Sequence, residues 1–337
     1  MPTDKNAKKQ SDKRYRVGFD LGGTKMMAAV FDEAFEIVAR VRRKTRATDG
    51  AETGLRRMIQ LVEDALSEGG VPADQLRAIG VASPGPLDLN KGVVLETPNL
   101  GWEQVEVSAA FKKAFGCPAF LLNDVDAGVY GEYRFGAGKG ARCVLGVFPG
   151  TGIGGGCVYE GAVLRGSRFS CMEIGHLPVV PNGSLCGCGR RGCLETVASR
   201  QVLVAAALSA AMRGQAPHLS ERAGTDIGKV RSKALAASVR EGDKVVEQIL
   251  RQGAEWIGYA TAGVINLLAP DVIVLGGGMV EAMPELFEEE VLRAAEQRVM
   301  DSFRGTFKVR VAKLGDDAGL AGAASWAEHM TSLEEKA

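Results

Sequence analysis

The sequence predicts an α/β protein with two domains. Its 337 residues exceed the length of a typical single domain, and 46% of them are hydrophobic, which is enough to fill two cores. Short apolar runs typical of strands alternate with stretches of helical period. One arrangement, a strand, a turn of glycine and threonine and a second strand, occurs near residue 20 and again near residue 150. We therefore expect a duplicated architecture in which the two turns face each other across a cleft.

Composition limits the classes of function. The chain carries 41 basic and 41 acidic residues, so no overall charge favours nucleic acid or an anionic membrane. No apolar run approaches the ~20 residues that span a bilayer. Residues 1–14 contain no secretory signal, and we expect them to form a disordered tail. Seven cysteines, an odd number, suit the reducing cytoplasm better than a disulfide framework. We expect a cytoplasmic protein with no nucleic-acid or membrane partner.

The first half of the chain opens with a strand of alternating apolar residues that begins at Tyr15. It ends at Asp20, and a tight turn, Gly22-Gly23-Thr24-Lys25, leads into a second apolar run. A helix then shows apolar residues at helical spacing from Leu55, and Gly69-Gly70 closes it. The other elements predicted before residue 136 are strands at 26–31, 37–41, 78–82 and 119–122 and helices at 125–135 and at 108–116, the latter capped by Ser108.

Polar residues and rigid loops follow two of these strands. A loop stiffened by proline, Ser83-Pro84-Gly85-Pro86, comes directly after one strand. Another strand delivers Asn123 and Asp124 at its carboxyl end, which is where ligands collect in α/β sheets. Between them, Asn90-Lys91-Gly92 predicts a hairpin turn, and Asn99 supplies a polar side chain within a stiff loop.

The second half repeats the opening arrangement and then becomes helical. A strand leads into the turn Gly150-Thr151-Gly152, and a second strand follows. Pro270 ends a long helix, and Gly276-Gly277-Gly278 comes directly after a fully apolar strand. The elements predicted here are strands at 143–148, 157–159, 272–275 and 307–311 and helices at 199–213, 243–268, 284–299 and from 318.

No low-complexity linker marks the domain boundary. We assign residues 15–128 together with 318–337 to a smaller α/β domain and residues 129–317 to a larger one. The helices near 125–135 and 317–328 are expected to join the two domains and to act as a hinge.

A stretch rich in cysteine and glycine predicts a metal site. Three cysteines and one histidine are a usual ligand set for structural zinc, which is bound tetrahedrally, and the neighbouring glycines allow the sulfurs to converge. The alternative is a disulfide or a set of inert buried cysteines, although Cys186 and Cys188 are too close in sequence to bridge comfortably. Glu173 and Glu195 bracket the stretch and suit hydrogen bonds to a polar ligand. The candidate metal ligands are His176, Cys186, Cys188 and Cys193.

Three glycine clusters directly follow strands and predict a nucleotide site. Backbone amides in such turns bind phosphate oxygens with no side chain in the way. We assign the phosphates to Gly22-Gly23-Thr24 and to Thr151-Gly152, and the adenine and ribose to the backbone of Gly276-Gly277-Gly278. None of the three matches the P-loop or the dinucleotide-binding fingerprint. A plain β-turn explains any one of them equally well, but three after three strands favour a ligand site.

Two aspartates are candidates for the chemistry of phosphoryl transfer. Asp124, beside the amide of Asn123, suits a general base, since this reaction needs a positioned hydroxyl and an acceptor for its proton. The alternative is that Asp124 caps the helix that follows. Asp126 competes for the role but lies two residues into that helix. Asp20 suits magnesium held through water, with an ordinary turn aspartate as the alternative.

Taken together, these motifs resemble the ROK family (repressor, open reading frame, kinase), and most closely its bacterial glucokinases. The resemblance covers nearly all of the chain from about Arg16. The motifs that carry it are Asp20-Leu21-Gly22-Gly23-Thr24-Lys25, Asn123-Asp124 with Gly131-Glu132, Gly150 to Gly156, Glu173-x-x-His176 and Cys186-x-Cys188-Gly189-x-x-Gly192-Cys193-x-Glu195. Pro149 and Asp126 depart from the residues that are usual at their positions.

The resemblance implies an actin-like, hexokinase-like (ribonuclease H-like) ATPase fold with a cleft between two domains. It implies a kinase that transfers a phosphoryl group from ATP to the 6-hydroxyl of glucose, with Asp124 as the base. Magnesium accompanies ATP, zinc is structural, and the chain forms a homodimer or a higher homo-oligomer. The implied sugar contacts are Gly85, Asn99, Asn123, Asp124, Glu173, His176 and Glu195.

Two alternatives remain within this resemblance. One is a kinase of the same family that acts on fructose, N-acetylmannosamine or N-acetylglucosamine. The other is a sugar-sensing transcription repressor. Family repressors carry an N-terminal helix-turn-helix domain, and the fourteen residues before the first strand are too few for one, so we expect a kinase.

Overall fold

Backbone contacts divide the chain into two compact units. Unit 1 comprises the chain up to Lys139, the segment Val163–Cys171 and the chain from Asp316; unit 2 comprises Gly140–Ala162 and Met172–Gly315. The computed structural model describes residues 14–97, 100–167, 170–224, 226 and 228–336.

Thirteen strands and eleven α-helices lie within the described residues. The strands are β1 (Tyr15–Leu21), β2 (Lys25–Phe31), β3 (Ile37–Lys44), β4 (Leu76–Ser83), β5 (Leu87–Asp88), β6 (Val93–Thr97), β7 (Trp102–Val105), β8 (Ala119–Asn123), β9 (Cys143–Pro149), β10 (Ile153–Tyr159), β11 (Ala162–Val163), β12 (Val272–Leu275) and β13 (Lys308–Val311). The helices are α1 (Ala51–Glu68), α2 (Val107–Phe115), α3 (Asp124–Phe135), α4 (Glu195–Ala198), α5 (Arg200–Met212), α6 (Pro217–Ala223), α7 (Ser232–Glu241), α8 (Lys244–Leu268), α9 (Gly278–Ala282), α10 (Pro284–Glu296) and α11 (Ala318–Glu334).

The main sheet of unit 1 has the strand order β3-β2-β1-β4-β8. β2 is antiparallel to both β1 and β3, whereas β1, β4 and β8 run parallel. A separate antiparallel sheet, β5-β6-β7, includes the hairpin predicted around Asn90-Lys91-Gly92. All residues of the central parallel strand β4 except Arg77 are buried, as expected for a strand covered on both faces.

The main sheet of unit 2 repeats this topology. Its order is β11-β10-β9-β12-β13, with β9 and β10 antiparallel and β9, β12 and β13 parallel. In both units, a glycine and threonine turn therefore joins the first strand to its antiparallel neighbour in a hairpin. The first strand also pairs with a parallel strand from later in the chain. The duplication predicted from the two turns is confirmed at the level of strand order.

Glycines allow α11 to approach the sheet of unit 1 closely. A Cβ atom at Gly18 would lie 2.0 Å from the carbonyl oxygen of Leu320, and one at Gly80 would lie 1.9 Å from that of Ala323. A Cβ atom at Gly322, within α11, would lie 1.7 Å from a carbonyl oxygen of α3. No side chain fits at these contacts, so α11 packs with its backbone against β1, β4 and α3.

The boundary predicted after Gly128 falls inside α3. Because α3 packs along α11, the contacts keep the whole helix in unit 1, and the division comes after Lys139. The segment Val163–Cys171 also belongs to unit 1, although the chain on either side of it belongs to unit 2.

Most predicted elements of the second half are confirmed. The long helix α8 ends at Leu268, before Pro270, and Asp243 precedes its first residue. The predicted cap at Ser108 is wrong, since α2 begins one residue earlier, with Glu106 at its N-cap. The helix does end at Gly116, whose φ of 67° is one that glycine adopts easily.

Candidate functional site

The first glycine and threonine turn closes the β1–β2 hairpin of unit 1. The backbone N–H of Gly22 donates to the carbonyl of Lys25 at 3.0 Å, and the hydroxyl of Thr45 donates to the carbonyl of Gly22 at 2.6 Å. A Cβ atom at Gly22 would lie 2.7 Å from the Lys25 carbonyl oxygen, so the turn requires glycine there. Gly23 and Thr24 are exposed and are available to a ligand.

Carboxylates collect beside this turn. Burial raises the pKa of the Asp20 carboxyl to about 6, and the negative charges of Asp124 and Asp316 add to the shift against the opposing charge of Lys25. The Lys25 ammonium group lies 3.0 Å from Asp316 Oδ2. Three acidic groups therefore share one lysine, and the site has an excess of negative charge that a cation would relieve.

Asn123, and not Asp124, caps α3. Its side-chain oxygen accepts from the backbone N–H of Val125 at 2.9 Å and of Asp126 at 3.3 Å. The alternative prediction, in which Asp124 is the cap, is wrong. Asp124 is the first residue of the helix, and its Oδ1 accepts from the same Val125 N–H at 3.0 Å. Its side chain still reaches solvent.

Protein atoms around Asp124 change its acidity. Desolvation raises the pKa of the carboxyl above its ordinary value, against hydrogen bonds to the backbone at Val125 and a hydrogen bond to the Asn123 side chain. A carboxylate with a raised pKa is a stronger base, so the environment suits proton abstraction.

The neighbouring loops of unit 1 are partly described. A Cβ atom at Gly85 would lie 3.9 Å from the amide nitrogen of Asn123, which places these two predicted sugar contacts together. Asp126 is buried, and its Oδ2 accepts from the hydroxyl of Ser170. Through this hydrogen bond, Asp126 anchors the segment Val163–Cys171 to α3, which is a structural role. Asn99, another predicted sugar contact, lies outside the described residues.

The second glycine and threonine turn connects β9 to β10 in unit 2. The N–H of Gly150 donates to the carbonyl of Gly152 at 2.7 Å, which closes the turn. The N–H of Ile153 donates to Glu195 Oε2 at 3.1 Å. A Cβ atom at Gly152 would lie 2.2 Å from that same carboxylate oxygen, so glycine is required where Glu195 meets the turn.

The predicted metal ligands converge in unit 2. The ligand atoms of His176, Cys186, Cys188 and Cys193 all lie within 4.8 Å of one another. Tetrahedral zinc with Zn–S bonds of about 2.3 Å places two sulfurs about 3.8 Å apart. The Cys188 and Cys193 sulfurs are 3.7 Å apart, and the Cys186 sulfur is 3.6 Å from His176 Nδ1. All seven cysteines are free thiols, so the disulfide alternative is not observed.

The acidities of the three thiols differ strongly without a metal ion. Burial raises the pKa of Cys193 to about 12 and also raises the pKa of Cys186. A hydrogen bond from the backbone at Arg190 lowers the pKa of Cys188. A bound cation would favour the thiolate form of all three cysteines.

Glu195 connects the metal-ligand cluster to the second turn. One carboxylate oxygen accepts from Ile153 N–H, and the other lies 3.6 Å from the Cys186 sulfur. The turn that carries His176 also packs against β10, since a Cβ atom at Gly175 would lie 2.1 Å from the Ile153 carbonyl oxygen. Glu173 is exposed at the start of that turn. The segments that carry Glu173, His176 and Glu195, the predicted sugar contacts of unit 2, therefore contact β10 at Ile153.

Residues 16–330 match the ROK family, and the motifs that predicted it lie within this range. The chain belongs to the ROK family. It is 34% identical to the glucokinase of Thermotoga maritima over 92% of this chain and 96% of that protein. A ROK glucokinase of Streptomyces griseus, solved with glucose and AMPPNP, is 32% identical with a TM-score of 0.79 and matches 94% of this chain and 99% of that one. The ROK hexokinase of Thermus thermophilus is 34% identical with a TM-score of 0.80, with the same coverage. This likeness confirms the two-domain hexokinase-like fold class.

The third glycine cluster of this ROK protein has an internal explanation. A Cβ atom at Gly276 would lie 2.3 Å from the ring of Phe148, and one at Gly277 would lie 2.8 Å from the Pro149 carbonyl oxygen. Packing within unit 2 thus requires two of the three glycines. Gly278 begins α9, and its nearest side-chain atom is the Ser232 hydroxyl at 3.6 Å. The adenine assignment remains a prediction.

Sequence reasoning missed two charged residues, one beside each glycine and threonine turn. Asp316 pairs with Lys25, and the acidic pair Asp316-Asp317 directly before α11 was a signal for it. The Arg200 side chain donates to the second turn, and the sequence feature that could have revealed it is a cation in the first turn of a helix.

None of the helices in the described part of the chain has both the length and the apolar character that a membrane span needs.

Proposed function

We propose that this ROK protein is a hexose kinase that transfers the terminal phosphoryl group of ATP to the 6-hydroxyl of glucose. The observation that carries the proposal is the carboxyl group of Asp124, which α3 fixes beside Asn123 and which its surroundings make more basic. The glucokinase relatives support the choice of sugar and of donor.

In the proposed reaction, Asp124 accepts the proton of the 6-hydroxyl as the hydroxyl oxygen attacks the terminal phosphorus. The bond between that phosphorus and the bridging oxygen breaks, and ADP leaves. Asn123 uses its side-chain oxygen for the helix cap and one amide N–H for the Asp124 carboxylate, so its second amide N–H remains to orient a sugar oxygen. The backbone at Gly23-Thr24 and at Thr151-Gly152, in which Gly23, Thr24 and Thr151 are exposed, would bind phosphate oxygens.

Magnesium fits the acidic group of unit 1. Magnesium at a nucleotide typically keeps several waters and takes one or two carboxylates. Asp20, whose pKa is raised by burial and by two neighbouring carboxylates, would hold the ion through water. When bound, the ion would neutralise charge on the donor phosphates.

Zinc fits the cluster of His176 and three cysteines, because the interatomic distances match a tetrahedron. When bound, it would cross-link the segment from His176 to Cys193. A Cys186 thiolate has no proton to donate, so Glu195 Oε1 would then be available to accept from a sugar hydroxyl. The metal site would thereby set the orientation of two predicted sugar contacts, His176 and Glu195.

A coupled assay across sugars tests the proposal. The wild-type chain should phosphorylate glucose with ATP and magnesium, with a higher kcat/KM than for fructose, N-acetylmannosamine or N-acetylglucosamine. Asp124→Asn should lower kcat by about 10²–10⁴-fold, since it removes the proton acceptor and keeps the shape. Asp74→Asn, which changes an exposed aspartate of the same unit, is the matched control and should retain activity.

Two results would contradict this proposal. If Asp124→Asn turned over at nearly the wild-type rate, Asp124 would not be the base. If the wild-type chain with metal bound phosphorylated none of the four sugars, the kinase assignment would be wrong. The predicted homo-oligomer is checked separately by sedimentation of the purified chain.

A further inference from the structure

Arg200 holds the second glycine and threonine turn at two points. It is the first residue of α5, and its backbone N–H donates to the carbonyl of Gly150 at 3.0 Å. Its guanidinium Nη2 donates to the hydroxyl of Thr151, also at 3.0 Å. The side chain is half-buried. A cation is therefore fixed against the turn proposed to bind the donor phosphates.

The charge of Arg200 has no carboxylate partner within ion-pair distance among the residues that the structure describes. Two other arginines of unit 2 have such a partner: Arg222 pairs with Glu241, and Arg293 pairs with Glu290. Glu195 also contacts the turn, but through the Ile153 N–H and without an ion pair to Arg200. The cation is held at the turn and left without an acidic partner there.

The position is also unfavourable for a cation by itself. The N-terminus of a helix carries partial positive charge, which disfavours a cation in the first turn and favours an anion. Ser199, at the N-cap of α5, is 2% exposed, and its side chain makes no capping hydrogen bond to the helix. The Arg200 guanidinium and the N-terminus of α5 therefore meet at one turn, and an anionic ligand would offset the positive charge of both.

We propose that Arg200 is a phosphate-binding residue of the donor site. This rests on the proposed function, since it assigns the donor phosphates to the turn at Thr151. A guanidinium has five N–H donors, and the contact with Thr151 uses one of them. The remaining donors suit the oxygens of a terminal phosphate, which guanidinium groups bind in a bidentate manner.

Steady-state kinetics give the first test. Arg200→Gln should raise the KM for ATP by about tenfold or more and leave the KM for glucose unchanged, because charge-assisted hydrogen bonds to phosphate are lost. Arg200→Lys should recover part of the loss, since it restores the charge without the bidentate geometry. The control is Arg213→Gln, at the exposed far end of the same helix, which makes the same change in charge and should have no effect.

Binding measurements separate a phosphate contact from a structural role. Wild type, Arg200→Gln and Arg213→Gln are titrated with ATP, adenosine and inorganic tripolyphosphate. We expect the Arg200 variant to lose about tenfold or more in affinity for ATP and tripolyphosphate and to bind adenosine as wild type does. Equal losses for ATP and adenosine would overturn the proposal, because the turn would then have been distorted. Unchanged ATP affinity would also overturn it.

The same measurements distinguish this inference from the proposed function. If the wild type phosphorylated glucose and Arg200→Gln bound ATP normally, only the role of Arg200 would be wrong. If the wild type phosphorylated no hexose but bound tripolyphosphate more tightly than Arg200→Gln does, the phosphate contact of Arg200 would stand and the kinase assignment would be wrong.

Discussion

Replacing Asp20 by asparagine should stabilise this protein while it impairs the proposed reaction. Asp20 is the penultimate residue of β1, and its carboxyl is partly desolvated and repelled by Asp124 and Asp316. The charged form is therefore disfavoured in the folded state. Asparagine has nearly the same shape and no charge, so it removes the repulsion and also removes the proposed support for magnesium.

The size of the effect follows from the pKa of Asp20. The pKa is raised from 3.8 to about 6 in the folded protein. Each pKa unit corresponds to about 1.4 kcal/mol, so ionisation of Asp20 costs the folded state up to about 3 kcal/mol at pH 7. Because the pKa of Asp20 is higher in the folded than in the unfolded state, its ionisation destabilises the folded protein. This cost in free energy is fully present above pH 6, shrinks as the pH falls below about 6, and vanishes below 3.8. Asp20→Asn should therefore be more stable than wild type at pH 7 and equally stable near pH 4.

Urea unfolding of the metal-free protein between pH 4 and pH 8 measures this difference. Asp20→Asn should raise the free energy of unfolding at pH 7 by about 2–3 kcal/mol, and the gain should decline towards zero at pH 4. Asp74→Asn, at an exposed position of the same unit, should show no gain. A variant that was no more stable at pH 7, or whose gain did not depend on pH, would refute the reasoning about repulsion.

Two further substitutions test the metal-ligand cluster and the packing of α11. Cys193→Ser should abolish stoichiometric zinc binding, measured by elemental analysis of the purified chain. The control Cys117→Ser, which changes a buried cysteine of unit 1, should retain the zinc. A full zinc content in Cys193→Ser would contradict the ligand assignment. Glu328→Ala should lower the free energy of unfolding, measured in urea, by about 3 kcal/mol, because the part-buried guanidinium groups of Arg16 and Arg77 lose the carboxylate that they share. A loss below about 1 kcal/mol would show that these two ion pairs do not stabilise the fold.

Local signals explain which elements were predictable from the sequence. The bounds of α8 follow from its helical period and from Pro270, and the β1–β2 hairpin follows from apolar alternation around two glycines. The metal-ligand cluster was predictable for a similar reason, since its four ligands lie within one short stretch whose residue types have few other uses.

Long-range contacts explain what the sequence did not reveal. The need for glycine at Gly80 arises from a carbonyl oxygen in α11, more than two hundred positions away. The segment Val163–Cys171 belongs to unit 1 because of contacts such as the hydrogen bond between Ser170 and Asp126. These two residues are distant in sequence, so no local sequence pattern predicts the contact. The roles of Glu195 and Arg200 at the second turn depend likewise on side chains from distant positions.

The two glycine and threonine turns share one topology but differ in charge. Asp20 and Asp316 lie beside the first turn, with a single lysine to offset them. The second turn is held by Arg200, whose charge has no acidic partner among the described residues. A phosphate group carries negative charge, so the proposed phosphate contact at the first turn would require a cation, whereas the proposed contact at the second turn would not. The two turns thus share one backbone topology, and the charged side chains around each turn determine whether a phosphate bound there would need a metal ion.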